Sequence, residues 1–167
     1  MIVGRTIVIS APSGAGKTTL IKLLMKEMRD IAFSVSATTR PPSSKEKNGK
    51  DYFFISKQDF LRKKKVGEFV ETALVHCHYY GTLKEELDKK LRAGKNVILD
   101  VDVKGALNIK KYYPHSILIF IAPPSMEVLE ERIRNRHRDS DKDIAKRLKD
   151  ARKEMDYRKF YDYVIIN

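Results

Sequence analysis

The 167-residue chain contains a single cysteine, which excludes an internal disulfide and suits a reducing compartment. No apolar run approaches the roughly 20 residues that a membrane-spanning helix needs; the longest, Ile117 to Pro124, reads ILIFIAPP. The N-terminal MIVGRTIVIS moves directly into a strand-like run, with no apolar signal-peptide core or cleavage site, so a cytoplasmic location is expected. Internal repeats, low-complexity tracts and interdomain linkers are missing as well, which predicts one compact domain with a sizeable core. Acidic residues are scarce relative to basic ones, 22 against 34, giving a formal charge of +12. That balance selects polyanionic partners: nucleic acid, phosphorylated metabolites or an anionic membrane surface. With 42% hydrophobic and 34% charged residues, the chain is globular rather than disordered.

The apolar runs are short and alternate with helical patterns. Thr6–Ser10, Lys95–Asp100 and Ser116–Ile121 suit buried parallel strands, and Tyr163–Ile166 closes the chain as a last strand. Helices are expected after Thr19, ending near Asp30, and over Lys57–Lys65, Leu83–Ala93, Lys104–Tyr112, Met126–Asn135 and Ile144–Met155. Ser125 is a candidate N-cap, and Gly94 stands where a left-handed C-terminal cap belongs. The alternation predicts an α/β fold, a parallel sheet flanked by helices. Residues 34–82 are polar and short-stranded, with Phe33–Thr39 read as one half-buried strand and further strands at Asp51–Ile55, Phe69–Val75 and Tyr79–Tyr80. They are expected to form an inserted subdomain.

Between the first strand and first helix lies Ala11-Pro12-Ser13-Gly14-Ala15-Gly16-Lys17-Thr18. It fits the phosphate-loop pattern except that Ala11 replaces the first glycine. Glycines let successive backbone N–H groups turn toward phosphate oxygens, and the helix N-terminus adds a favourable dipole. Lys17 can reach the β- and γ-phosphates while the Thr18 hydroxyl ligates Mg²⁺. Ala11 is acceptable there if its φ stays negative. The segment predicts nucleoside triphosphate binding without saying what accepts the phosphate.

Three further segments are Ser34-Val-Ser-Ala-Thr-Thr-Arg-Pro41 continuing to Asn48-Gly-Lys-Asp-Tyr-Phe53, Glu71 followed by Tyr79-Tyr-Gly-Thr82, and Leu99-Asp-Val-Asp-Val-Lys-Gly105. Together with the phosphate loop, and in this order and spacing from Thr6 to Asn167, they resemble the guanylate kinases. The resemblance implies transfer of the ATP γ-phosphate to GMP, and to dGMP, with Mg²⁺ as cofactor. It implies that Ser36 and Arg40 hold the GMP phosphate, helped by Tyr52 and Tyr80. Glu71 would accept from guanine N1–H and the 2-amino group, Thr82 would meet O6, and Asp102 would lie near the 2-amino group. Such a carboxylate favours guanine, because adenine would leave it buried and unpaired. Asp100 and Asp102, two apart, are expected on one strand face at the C-terminal end of a buried strand, where open α/β sheets bind ligands. Asp100 is the candidate to order a Mg²⁺-bound water, a structural cap being the alternative. Ordinary strand packing is the alternative for the tyrosines, and a solvated strand position for Glu71.

Arg132 and Arg136, four apart, share a helix face, and Arg147 lies on the next helix. The resemblance implies that these catalytic arginines, with Lys17, neutralise the transferring phosphoryl group in a helical lid; plain solvated charge is the alternative. It also implies a position near adenine for Asn167, and at least one more helix after it. The expected division is core 1–33, 83–125 and 160–167, acceptor insert 34–82, and lid 126–159. Two departures stand out: Ser43 where the family places a second arginine, and Lys104 where it usually has glutamine. They keep open a P-loop kinase for another phosphorylated small molecule, although Glu71 with Thr82 would be idle against a sugar phosphate. A non-catalytic interaction module is the other alternative, opposed by intact Gly16 and Lys17. His76-Cys77-His78 is not expected to bind metal, since alternation along a strand turns Cys77 from the two histidines. The expected partners are therefore ATP and GMP, with neither nucleic acid nor membrane, in a monomer or weak homodimer.

Overall fold

Apolar strands without a polar face need helices on both sides, and that requirement sets the architecture. The computed structural model describes residues 4–28, 30–75, 77–135 and 140–167. Its larger sheet contains β1 (Thr6–Ser10), β2 (Ile31–Phe33), β7 (Asn96–Asp100), β8 (Ile117–Ala122) and β9 (Tyr163–Ile166), all parallel, in the order β2-β7-β1-β8-β9. Alternate residues face opposite sides of the sheet. Ile9, Ile98 and Ile121 pack against α1 (Lys17–Glu27), α5 (Met126–Arg134) and α6 (Asp141–Met155) through Ile21, Leu129, Ile133 and Ile144. Val8, Val97, Leu99 and Leu118 pack on the other side against α3 (Lys84–Arg92) and α4 (Val103–Tyr112) through Leu87, Leu91 and Ile109.

The smaller sheet has the order β4-β3-β6-β5, formed by β3 (Ala37–Thr38), β4 (Phe53–Phe54), β5 (Phe69–Val75) and β6 (His78–Leu83). It is mixed: β3 and β4 are parallel, whereas β6 runs antiparallel to both β3 and β5. Its small core centres on Ala37, Phe60 and Phe69, with Phe60 contributed by α2 (Lys57–Lys65). The Phe60 and Phe69 rings stack at 4.4 Å, and Tyr79 stacks on Phe60 at 5.3 Å. Tyr79 is thus a packing residue.

Local signals account for many element ends. Ser125 accepts from the Val128 N–H at 3.3 Å, so it caps α5 as expected. Gly94, with φ of 76°, ends α3, its N–H donating to Leu91 O at 2.9 Å. Phe33–Thr39 is not one strand. Ile31–Phe33 pairs with β7, the chain then leaves that sheet, and Ala37–Thr38 joins the smaller one. Buried Ser34 makes the transition, its N–H still donating to Ile98 O at 2.8 Å. The first helix stops at Glu27, with Met28 already extended. Among the described residues no helix is long and apolar enough to cross a membrane.

Candidate active site

The phosphate loop leaves the C-terminal end of central β1, the end at which a parallel sheet presents its ligands. Gly14 and Gly16 have φ of 99° and 90°, a left-handed geometry natural to glycine. Cys77 is the only other described residue type to enter that region, so Ala11 keeps the negative φ its position requires. The Ala15 N–H donates to Pro12 O at 3.1 Å, closing the turn. Gly16 caps α1 without any side-chain acceptor, leaving its first N–H groups aimed at where an anion would sit. Ser13 and Thr18 are exposed at the mouth of this loop.

Lys17 is already oriented. Its Nζ lies 2.6 Å from Asp100 Oδ1 and donates to Val101 O at 3.1 Å. Asp100, the last residue of β7, and Val101 after it therefore hold this lysine in place. Asn167 closes the opposite side of the loop, its Nδ2 donating to Ala15 O at 2.9 Å, while Arg132 Nη1 donates to Asn167 O at 2.8 Å. A recess of about 370 Å³ opens there, between Gly14, Gly16, Arg132 and Asn167. Arg147 lies on α6, where its charge helps hold the Asp143 carboxyl below the usual range, the Ser140 hydroxyl being the larger cause. Arg136 falls outside the described residues.

A cavity of about 360 Å³ opens between the two sheets, lined by Lys17, Ser36, Tyr52, Glu71, Tyr80, Asp100 and Asp102. Glu71 is only 8% exposed, and so is not a solvated strand position. Its Oε1 accepts from the Thr82 hydroxyl at 2.8 Å across the β5–β6 pair. Burial pushes its carboxyl up to about 7, with a smaller upward push from Asp102 and an opposing pull from Thr82. The site thus holds a carboxyl buried in the cavity wall with Thr82 as its hydrogen-bonding neighbour.

Two expectations change here. Asp102 does not share a strand face with Asp100, because β7 ends at Asp100. Asp102 instead caps α4, accepting from the Gly105 N–H at 2.7 Å. Both carboxylates still reach the cavity, one from a strand end and one from a helix start. Likewise Cys77 occupies a hairpin turn between β5 and β6, with φ of 65°, so strand alternation does not govern it. His76 lies outside the described residues, and no metal-binding group of three His, Cys, Asp or Glu occurs among those described.

Arg40 stands beside the cavity wall. Its guanidinium lies 5.5 Å from the Tyr52 ring centre and 5.8 Å from that of Phe54. Tyr52 and Tyr80 meet edge to face at 5.9 Å. Two acidic residues escaped the sequence reading. Glu46 bonds Arg40 at 2.6 Å. Glu154, on α6, lies near Ser13 of the phosphate loop; burial raises its carboxyl while Lys17 draws it down. Neither belongs to a periodic pattern or a spaced motif, so only the fold reveals them.

The comparisons agree with this geometry. The sequence profile of the family described as guanylate kinase matches residues 3–167. A guanylate kinase of Thermotoga maritima is 45% identical over 98% of this chain and 79% of its own length. One from Caldanaerobacter subterraneus subsp. tengcongensis is 48% identical over 98% and 80%, and one from Fusobacterium nucleatum is 46% identical over 100% and 90%. The crystal structure of guanylate kinase from Anaplasma phagocytophilum superposes with a TM-score of 0.75 at 36% identity, covering all of this chain and 78% of that one. A phosphate loop, a cavity beside it with a buried carboxyl in its wall, and matches along nearly the whole chain lead to one assignment: the chain belongs to the guanylate kinase family.

Proposed function

We propose that the protein transfers the ATP γ-phosphoryl group to GMP, and to dGMP, yielding ADP and the nucleoside diphosphate. The observation that carries this reading is the buried Glu71–Thr82 pair in the wall of the cavity that Lys17 enters. Ionised Glu71 accepts from the N1–H and 2-amino group of guanine, and the Thr82 hydroxyl meets O6. Adenine offers the opposite pattern and would strand the carboxylate. The acceptor phosphate is read by Ser36, Arg40, Tyr52 and Tyr80, whose hydroxyl and guanidinium donors match its oxygens. Asp102 borders the base and Asp100 the phosphate.

The donor triphosphate is cradled by Ala11 to Thr18 and its base side by Asn167. An oxygen of the acceptor phosphate forms the new bond to the γ-phosphorus while the bond to the β,γ-bridging oxygen breaks, the electron pair leaving on ADP. The attacking oxygen is already ionised at neutral pH, so no general base is needed. Lys17, Arg132, Arg136 and Arg147 neutralise charge on the transferring group, and closure of a lid spanning 126–159 over the 1–33, 83–125 and 160–167 core excludes water. The acceptor insert is 34–82. Mg²⁺ fits the exposed Thr18 hydroxyl and the Asp100 carboxylate, hard oxygen donors too few for a protein-only cage. When bound on ATP it would polarise the phosphates and neutralise their charge. The reaction is placed in the cytoplasm, in a monomer or weak homodimer.

Coupled ADP release with GMP, dGMP, AMP, UMP and ribose phosphates tests the reading. Turnover should be confined to the guanine nucleotides. Turnover on AMP or a ribose phosphate but not GMP would overturn it, and none with any acceptor would favour the interaction module.

A further inference from the structure

Arg40, Ser43 and Glu46 lie in the loop joining β3 to β4 and form a small closed network. Glu46 uses both carboxylate oxygens: Oε1 accepts from Arg40 Nη2 at 2.6 Å, and Oε2 from the Ser43 backbone N–H at 2.8 Å. The Glu46 N–H donates back to Ser43 O at 3.1 Å. The carboxylate is therefore anchored to the backbone on one side and offers its other oxygen to the guanidinium. Arg40 is further held through Nη1 to Pro41 O at 2.9 Å and by the Tyr52 and Phe54 rings.

An ion pair at an open surface contributes little, because two long side chains must be ordered to form it. Here the balance differs. Glu46 and Arg40 are only 21% and 28% exposed, and the carboxylate is fixed by a backbone donor before it meets its partner. The guanidinium carries more N–H donors than these partners use, so an acceptor phosphate need not displace Glu46. Without the carboxylate, a long side chain with many rotamers would have to be ordered afresh by each incoming ligand.

We infer that Glu46 is a positioning residue that holds the Arg40 guanidinium at the edge of the acceptor cavity, beside Tyr52 and Tyr80, pre-ordered for the acceptor's phosphate. The inference rests on the reading of Arg40 as a phosphate ligand. It also bears on Ser43, which stands where the family resemblance implies a second arginine: this position contributes its backbone N–H to the ordering of the single arginine present. Glu46 carries its negative charge at all assay pH values, since the Arg40 hydrogen bond holds its carboxyl down to about 2.

Steady-state kinetics on Glu46→Gln, Glu46→Asp, Arg40→Ala and the Arg40→Ala/Glu46→Gln double variant test the inference, with Tm followed for each. Glu46→Gln should raise KM for GMP on the order of 5- to 10-fold, leaving KM for ATP and kcat at saturating GMP within about twofold. The double variant should be no worse than Arg40→Ala alone, because the carboxylate acts through the arginine. Glu46→Asp, too short to span both partners, should raise KM for GMP as well, and it carries the comparison if Glu46→Gln does not fold. An unchanged or lower KM for GMP in the folded variants, a parallel rise in KM for ATP, or effects that multiply in the double variant would overturn the inference while leaving Arg40 in place. If Arg40→Ala itself leaves KM for GMP unaltered, the phosphate-ligand reading falls and this inference falls with it.

Discussion

Lys17 and Glu71 make opposite demands on the same cavity: one must be charged and held forward, the other is charged against the preference of its surroundings. Lys17→Ala should lower kcat by at least about 10²-fold, with Tm followed to establish that the variant folds. A folded variant at near wild-type rate would remove the phosphate-loop assignment. For Glu71, a folded pKa near 7 against an ordinary 4.5 means that the fold favours the protonated form. Its contribution to stability, about 3 kcal/mol, is fully present below about 4.5 and is lost as pH rises through about 7. Guanine binding demands the other form, so KM for GMP should fall as pH rises from about 6 to 8, beyond any change seen in Glu71→Gln. Isothermal titration in two buffers of different ionisation enthalpy should detect proton release on GMP binding, and equal heats would contradict it. Glu71→Ala should reduce the ratio of kcat/KM for GMP over AMP by on the order of 10²-fold or more.

At the scale of elements, α4 begins in the active site, and its cap is also a wall of the cavity. Asp102→Ala should cost about 1 kcal/mol of stability and also raise KM for GMP. Asp102→Asn retains a capping oxygen, so it should leave Tm within about 2 °C while still raising KM; a loss of Tm equal to that of the alanine variant would show that capping does not explain the cost. Gly105, the donor to that cap, is confined by the same walls: an added Cβ would lie 3.1 Å from Glu71 Oε2 and 3.2 Å from Asp102 Oδ1. Gly105→Ala should therefore raise KM for GMP on the order of tenfold with KM for ATP little changed. What was legible in the sequence at this scale was what local chemistry dictates. The phosphate loop between strand and helix, Ser125 as a cap and Gly94 as a stop all depend on neighbours a few residues away. The sheet change at Ser34 was not legible, because alternating polar and apolar residues look the same in whichever sheet receives them. Asp102 was read as strand for a related reason: β7 ends between two aspartates that alternation alone treats alike. Glu46 and Glu154 carry no sequence signal, since a loop acid and a helix acid are ordinary until the fold brings them to Arg40 and Ser13.

Across the whole molecule, the excess positive charge divides into a converging part and a dispersed part. Lys17 and Arg132 line the two cavities and Arg40 stands beside one of them, whereas Lys64 and Lys65 at the basic end of α2 are exposed and line neither. The double variant Lys64→Gln/Lys65→Gln should leave kcat and both KM values within about twofold at 0.15 M salt, where charges beyond about 8 Å are screened. A larger change in either KM would give this run a role in drawing nucleotides to the site. The larger sheet supplies the phosphate loop and the smaller sheet supplies Glu71 and Thr82, proposed above to read guanine, so on that reading neither sheet alone forms the site. The scarcity of cysteine acquires a practical meaning in this arrangement. The lone thiol, Cys77, is exposed at the tip of the β5–β6 hairpin, two residues from Val75 in the acceptor cavity wall. A maleimide dye would attach there alone, without mutagenesis, and its emission would report nucleotide arrival in the absence of turnover.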